Sequence, residues 1–226
     1  MKRSRINALL GEADAFVRTF GFMLPPFAYW SADAFAARAE GTRIVEAALG
    51  WDITDYGQGR FDEMGLVLFT LRNGIADEQA SGRGMCYAEK LLISRERQLS
   101  PMHTHRVKVE DIINRGGGTL VVRLNGSDEA GGFAPDRGGR VMRDAQPYDF
   151  GAGEEIRLRP GESVTLRPGD WHAFWGEGGD VLIGEVSSVN DDVTDNVFVE
   201  DIGRFSEIDE DVQPLHLLVS DYPTRL

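Results

Sequence analysis

The hydrophobic positions near the start of the chain follow a helical period. Apolar side chains recur every three or four residues between positions 6 and 20, the spacing that places them on one face of an α-helix. Ser4 is suited to cap the start of this helix, and Gly21 is suited to end it in the left-handed conformation. A second, shorter helix is predicted to begin at Ser31 and to end before Gly41.

From about residue 65 onward the pattern changes to short apolar runs. The runs that predict strands cover residues 65–71, 87–94, 111–114, 119–124, 155–158, 163–166, 181–189 and 215–220. Turns rich in glycine and proline separate them, and many short strands joined in this way are typical of a β-sandwich or barrel. The polar stretch 125–153 is predicted to be a long excursion between two strands, and therefore a lid, an edge hairpin or a partner contact.

Composition narrows the class of protein. The 226 residues carry 24 basic and 37 acidic side chains and a net charge of −13, which argues against binding to nucleic acid or to an anionic membrane surface. The single cysteine, Cys86, cannot form an intrachain disulfide and suits a reducing compartment, so we expect a cytoplasmic protein. We expect one domain over residues 1–226, with a helical extension (1–60) packed on a β-barrel core (61–226).

Three of the four histidines stand in positions that suit a metal site. His103 and His105 alternate, so on a strand both rings would point to the same face. Glu110 would join them only if the chain turns after the pair, and His172 follows a tight Pro-Gly turn that would fix its ring. Alternating histidines also occur by chance, and a lone histidine is more often a surface or core residue. The ligand interpretation therefore depends on the wider pattern.

The order and spacing of these residues resemble the two motifs of the cupin superfamily. The first motif reads His103-x-His105, four residues, Glu110, six residues and a glycine, and the second covers residues 161–172 and ends at His172. The resemblance implies a mainly β fold, the cupin double-stranded β-helix or jelly-roll barrel. It also implies that the three histidines and the glutamate bind a metal inside the barrel.

Three positions depart from these motifs. Arg97 stands where the first motif has a glycine, Pro168 lies one position late in the second, and Gly176 replaces an asparagine. These positions shape turns, so we expect the metal ligands to be unaffected. Three imidazoles and one carboxylate leave two positions of a six-coordinate ion open, and they suit manganese, iron, cobalt, nickel or zinc.

A narrower resemblance extends over nearly the whole chain. Five segments are similar to the bacterial D-lyxose isomerases of the cupin superfamily: residues 22–28, 49–55, 68–74, 110–118 and 184–192. This resemblance implies a manganese-dependent aldose–ketose isomerase that interconverts D-lyxose and D-xylulose, and often D-mannose and D-fructose. It also implies a monosaccharide as the small-molecule partner and a homodimer.

Moving a carbonyl between C1 and C2 of a sugar requires a carboxylate base acting through a cis-enediol, or a metal-assisted hydride shift. Glu185 interrupts the apolar run 181–184 and is the candidate base, with a solvent-facing glutamate as the alternative. Lys108 precedes Glu110 by two residues and is expected to steady an enediolate oxygen. Lys90 is a second candidate cation that could equally be a solvated strand residue.

Asp191 and Arg204 are expected to contact the substrate, whereas one member of the pair 191–192 is expected to be an ordinary acidic loop residue. His216, outside both motifs, is predicted to be structural. Two other functions stay open at this point: a cupin dioxygenase that uses iron and oxygen at the same ligands, and a sugar-binding cupin without turnover. A sugar-phosphate isomerase would need a cluster of basic residues, and the sequence contains no dense one to assign.

Overall fold

The computed structural model describes residues 1–38 and 41–226. Its helices are α1 (Arg3–Thr19), α2 (Ala32–Ala36), α3 (Gly41–Glu46), α4 (Ala76–Ala80) and α5 (Tyr222–Arg225), with 3-10 turns at Pro26–Tyr29 and Val219–Asp221. Its strands are β1 (Gly50–Thr54), β2 (Leu66–Asn73), β3 (Tyr87–Ser94), β4 (Ser100–His105), β5 (Glu110–Ser127), β6 (Phe133–Ala134), β7 (Gly139–Arg143), β8 (Gln146–Phe150), β9 (Glu154–Leu158), β10 (Ser163–Leu166), β11 (Trp171–Ser188) and β12 (Asn196–Phe198). Every strand pairing is antiparallel. The mainly β jelly-roll architecture predicted from the sequence is confirmed.

Helix α1 forms where its apolar period predicts, and its buried face packs against the sheet. Gly21 ends it with φ +70°, and its N–H donates to Arg18 O at 2.9 Å. The prediction of Ser4 as the cap is wrong, because Lys2 holds that position and the Ser4 hydroxyl donates to Asp211 at 2.7 Å. Ser31 does cap α2, and part of the predicted end before Gly41 falls on residues 39 and 40, outside the described residues.

The barrel is built around two strands of 18 residues, β5 and β11, that pair with each other along most of their length. Both strands bend at glycines, β5 at residues 116–118 and β11 at residues 178–179. Gly117 has φ +91°, and a Cβ on it would lie 2.1 Å from Asp180 O, so the close approach requires glycine. The residues 116–118, interpreted from the sequence as a turn between two strands, are therefore a bend inside one strand.

Strand order positions two of the hydrophobic cores. In the main path of the sheet β1, β2 and β3 lead to β11, β5 and β10, and β7 and β8 form the hairpin at its far edge. Alternate residues of β2 point to opposite sides: Leu66 and Leu68 join the core inside the barrel, while Val67 and Phe69 join the core under α1. Because both faces are covered, β2 reads as a continuous apolar run rather than an alternating one.

Two parts of the chain differ from the sequence interpretation, and a third decides between the alternatives that the sequence left open. The sheet already begins with β1, inside the stretch 1–60 that was expected to be a helical extension. The predicted strand over 215–220 is wrong: the chain makes one bridge, between Leu218 and Trp51, and then enters a 3-10 turn. The excursion over 125–153 contains the edge hairpin of β7 and β8.

Within the described residues no helix has the length and apolar composition to span a bilayer.

A buried cation joins the two ends of the chain. Arg3 on α1 is fully buried and forms two hydrogen bonds with Asp221 (2.7 and 3.0 Å) and two with Glu210 (2.6 and 2.9 Å). The segment between β12 and α5 is therefore tied to α1 near its end. The same segment carries Arg204, whose guanidinium donates to Asp52 on β1 at 3.0 Å.

Candidate active site

Three histidines meet inside the barrel on neighbouring strands. His103 and His105 alternate along β4, and His172 on β11 pairs directly with His103. One ring nitrogen from each histidine lies within 4.8 Å of the others, and all three side chains are buried. The two elements are held together at the turn before β11, where Gly169 N–H donates to the Thr104 hydroxyl at 3.0 Å.

Backbone carbonyls orient two of these rings. His103 Nδ1 lies 2.8 Å from Pro101 O, and His172 Nδ1 lies 3.0 Å from Asp170 O. A carbonyl oxygen only accepts, so each Nδ1 carries the proton and each Nε2 keeps its lone pair for a ligand. Burial, reinforced by the other two imidazoles, lowers the pKa of His103 well below its usual value, so this ring is neutral at pH 7.

The turn at 106–109 brings Glu110 back to the histidines, as their spacing requires. Its Oε1 lies 3.1 Å from His105 Nε2 and 3.2 Å from His172 Nε2, and its Oε2 lies 2.8 Å from Lys108 Nζ. Burial opposes ionisation of Glu110, but Lys108 and His105 outweigh it and lower its pKa well below the usual value. The site therefore offers a carboxylate beside three imidazoles.

A second carboxylate lies in the same cavity, on the other side of Lys108. Glu185 on β11 is buried, and its Oε1 accepts a hydrogen bond from Lys108 Nζ at 2.9 Å. Lys90 is its cross-strand neighbour on β3, with Nζ 3.6 Å from the same oxygen. Burial would lower the pKa of Lys108, but Glu110, Glu185 and Asp192 outweigh it and raise the pKa, so this amine is charged at pH 7.

Arg204 adds a further charge to the lining of the cavity. Its Nη2 lies 3.0 Å from Asp52 Oδ2 and 3.5 Å from Asp192 Oδ2, while its Nη1 is buried without a hydrogen-bond partner. Asp192 also accepts from Lys90 Nζ at 3.0 and 3.1 Å. Burial opposes the ionisation of Asp192, but Lys90 and Arg204 outweigh it and lower its pKa. The wall is thus an alternating network of charges.

These charged groups line a cavity. Its lining combines the charged groups above with aromatic and apolar side chains: Thr54, Tyr56, Leu66, Leu68, Lys90, Leu92, Ser100, His103, His105, Lys108, Glu110, Ile112, Phe174, Glu185, Asp192, Asn196, Phe198 and Arg204. Mixed polar and apolar walls of this kind suit a small polyhydroxylated molecule, because hydroxyls need hydrogen-bond partners and carbon faces need apolar contact.

The structure brings together eight of the nine residues singled out in the sequence. The exception is Asp191, which is exposed and accepts hydrogen bonds from Val193 N, Thr194 N and the Thr194 hydroxyl within its own loop. Its neighbour Asp192 lines the cavity instead. His216 is half-buried outside the cavity, with Nδ1 3.3 Å from Trp30 O. This position agrees with the structural role predicted from the sequence.

Sequence reasoning missed Asp52, Tyr56 and Phe198. Asp52 did leave a signal, since it interrupts the apolar strand β1 as Glu185 interrupts β11. Tyr56 donates to or accepts from the Ser100 hydroxyl at 2.8 Å, and Phe198 lies beside His103 with ring centroids 5.6 Å apart. Neither residue has a distinctive sequence setting, because long-range pairing alone brings them to the site.

The donor set fits a divalent metal ion. His172 Nε2 is buried without a hydrogen bond of good geometry, although it lies 3.2 Å from a Glu110 oxygen. Buried polar atoms in proteins are nearly always satisfied, so an unsatisfied nitrogen facing two other imidazoles and a carboxylate marks a site for a cation. The three histidines can therefore bind a metal ion, with Glu110 as a fourth candidate.

The chain is similar to known isomerases over nearly its whole length. The family model for D-lyxose isomerase matches residues 1–222. The D-lyxose/D-mannose isomerase of Serratia proteamaculans is 44% identical over 226 residues, covering 98% of each chain. The protein of the same name from Escherichia coli O157:H7 is 44% identical over 230 residues, again covering 98% of each chain.

Solved structures support the fold. The L-ribose isomerase of Acinetobacter sp. DL28, solved in complex with L-ribose, has a TM-score of 0.63 at 17% identity and covers 92% of this chain and 98% of its own. The ligand-free L-ribose isomerase of Cellulomonas parahominis has a TM-score of 0.60 at 19% identity, with the same coverage. Because the family model and both curated relatives span nearly the whole sequence, the chain belongs to the D-lyxose isomerase family.

Proposed function

We propose that this chain is a metal-dependent aldose–ketose isomerase that interconverts D-lyxose and D-xylulose, and also D-mannose and D-fructose. The observation that carries the proposal is the buried row Glu110, Lys108, Glu185 next to the cluster of three histidines. It supplies a metal-ligand set and a separate carboxylate for proton transfer. The names of the two curated relatives support this pair of substrates.

We assign the metal ligands to His103, His105, Glu110 and His172, and the resident ion to Mn²⁺ on the family resemblance. Zinc, iron, cobalt and nickel also suit this mixed set of donors. A bound divalent ion supplies Lewis-acid polarisation of sugar oxygens at its open positions. The same resemblance supports a homodimer, and the single cysteine supports a cytoplasmic location.

Glu185 is the group that moves the proton between C1 and C2. Its carboxylate is buried in the cavity, and Lys108 holds one of its oxygens through a hydrogen bond. Lys108 is charged and lies between the two glutamates, so it can also stabilise negative charge on an enediolate oxygen. Burial of these side chains strengthens both interactions, because the effective dielectric constant is lower inside the protein than in water.

Sugar hydroxyls are bound by the charged wall. Lys90 and Arg204 donate and Asp192 accepts, and the free Nη1 of Arg204 offers a hydrogen bond that no described residue takes. Tyr56 and Phe198 provide ring faces against which carbon atoms of the sugar can pack. This arrangement gives an open-chain sugar both hydrogen-bond partners and apolar contacts in one cavity.

The experiment that tests the proposal uses metal-stripped protein incubated with D-lyxose, with and without added Mn²⁺, and follows the products by NMR. We expect D-xylulose only when Mn²⁺ is present. The Glu185→Gln variant should keep its bound metal and lose about 10²- to 10⁴-fold in turnover, the typical contribution of a positioned acid–base group. Glu89→Gln is the matched control, since this half-buried strand glutamate pairs with Arg72 on the outside of the sheet.

Full turnover by Glu185→Gln would remove Glu185 from the proton transfer. Metal binding without isomerisation would refute the isomerase assignment, and uptake of oxygen with a test substrate would then favour a dioxygenase. Tight sugar binding without turnover would favour a binding protein. Carrying out the reaction in D₂O separates the two chemistries, because an enediol route exchanges the migrating hydrogen with solvent and a hydride shift retains it.

A further inference from the structure

Asp195 is a buried carboxylate next to the three-histidine cluster. It directly precedes β12, and its Oδ1 accepts the N–H of Val107 at 2.8 Å while its Oδ2 accepts the N–H of Lys108 at 3.2 Å. An ionised carboxylate has about four acceptor positions, so these two amides use only part of its capacity. Burial of the remaining capacity is costly unless another donor is at hand.

The neighbouring donor is His105. Asp195 Oδ2 lies 3.6 Å from His105 Nδ1, and that ring nitrogen is buried without a hydrogen-bond partner. Among the described residues, His105 is the one basic side chain with a nitrogen within 4.0 Å of this carboxylate. The other ring nitrogen, Nε2, lies 3.1 Å from Glu110 Oε1. His105 therefore lies between two buried carboxylates, one facing each nitrogen.

The following inference rests on the metal centre proposed above. A histidine that binds a metal offers one bare ring nitrogen, and the second nitrogen then carries the proton. For His105 the bare nitrogen is Nε2, because this atom faces Glu110 and the other donors. The proton must therefore be on Nδ1, which faces Asp195.

We propose that Asp195 is a positioning residue of the metal centre, which accepts the Nδ1–H of His105 and so fixes Nε2 as the ligand nitrogen. A small rotation of the imidazole brings the 3.6 Å separation into hydrogen-bond range. The same carboxylate holds the amide of Lys108. One side chain thus orients a metal ligand and the loop that carries the lysine between the two glutamates.

Asp195→Asn tests the proposal, because an amide of nearly the same shape presents both N–H donors and a single acceptor oxygen. With its nitrogen toward Val107 N the amide sets a donor against one neighbour, and with its nitrogen toward Lys108 N and His105 Nδ1 it sets a donor against two. We expect the dissociation constant for Zn²⁺, measured on metal-stripped full-length protein by competition with a chelating dye, to rise about 10- to 100-fold.

Ser188→Ala is the matched control. Its hydroxyl accepts the N–H of Val109 at 3.2 Å, so it supports the same turn without facing His105. We expect the zinc affinity of this variant to equal that of the parent. Equal zinc affinity of Asp195→Asn and the parent, or the same loss in both variants, would overturn the proposal, because Asp195 would then act only on the turn.

A second measurement on the parent protein does not depend on the variant folding. In Zn²⁺-loaded protein labelled with ¹⁵N-histidine, we expect a solvent-protected proton on Nδ1 of His105 and none on Nε2. Zinc bound through Nδ1, or an Nδ1 without a proton, would overturn the proposal. A parent that binds no zinc would overturn both the metal centre and this inference. A parent that binds zinc with the expected tautomer but isomerises no sugar would overturn only the proposed reaction.

Discussion

Replacing Arg3 by methionine removes the cation at the centre of the cluster that joins α1 to the C-terminal segment. Methionine keeps much of the aliphatic length, so the change removes charge and hydrogen bonds rather than volume. Asp221, itself buried, would lose both of its bonds to the guanidinium and keep only the N–H of Leu218 at 2.9 Å. Glu210 would keep Arg225 as its partner.

The size of the expected loss in stability follows from the burial of this ion pair. Breaking a buried ion pair by removing one partner destabilises a protein by about 3–5 kcal/mol, because it leaves an uncompensated buried charge. That range corresponds to about two to four powers of ten in the unfolding equilibrium constant. Arg5, two residues along the same helix, pairs with Asp62 at 3.2 Å, but both side chains are exposed. An exposed pair contributes about 0–1 kcal/mol, so Arg5→Met is the matched control.

Urea unfolding followed by circular dichroism measures both effects as changes in the free energy of unfolding. We expect a loss of about 3–5 kcal/mol for Arg3→Met and less than about 1 kcal/mol for Arg5→Met. Adding Asp221→Asn to Arg3→Met should restore part of the loss, because it removes the stranded charge. An Arg3→Met variant as stable as Arg5→Met would refute the reasoning.

Two further predictions concern acid stability and the strand bends. The hydrogen bond from Arg3, assisted by Arg225, lowers the pKa of Glu210 from 4.5 to about 2. Glu210 therefore stabilises the fold above about pH 4.5, and this contribution is lost as the pH falls through about 2. The parent's free energy of unfolding should consequently fall more steeply than that of Glu210→Gln between about pH 5 and 3. Equal slopes would contradict this prediction. Gly117→Ala should lower the midpoint of thermal unfolding more than Gly178→Ala does. Both positions have positive φ, but only a Cβ at 117 would meet a carbonyl oxygen, at 2.1 Å. Each left-handed alanine lowers the free energy of unfolding by about 1–2 kcal/mol, and the clash at 117 lowers it by about 1–3 kcal/mol more.

The parts of the fold that depend on local pattern could be predicted from the sequence. The period of α1 and the strands 87–94 and 163–166 agree with the structure, since their signals lie in neighbouring residues. The glycines at 116–118 were interpreted as a turn, because glycine permits a turn and a strand bend equally well. The partner strand decides between them, and its position is not encoded locally.

In the candidate site, too, local motifs predicted some residues, and only long-range pairing brings the others into place. Motif spacing predicted the histidine cluster, and Arg97, which stands in place of a motif glycine, has φ +59°, the conformation that a glycine would favour. The carboxylate beside His105 Nδ1 could not be predicted. Asp195 lies in an ordinary acidic loop of the sequence, and only the pairing of β12 with β4 brings it to His105.

The length of β11 has a consequence for how activity appears during folding. His172 and Glu185 stand on this one strand, which pairs with β3, β4 and β5, all of which precede it by dozens of residues. Such distant pairings form slowly, because the chain loses the entropy of closing a long loop before the stabilising contacts form. A nascent chain stopped before residue 171 lacks the third histidine and the candidate base. Turnover would thus report complete assembly of the barrel, and no partly assembled chain would act on sugar.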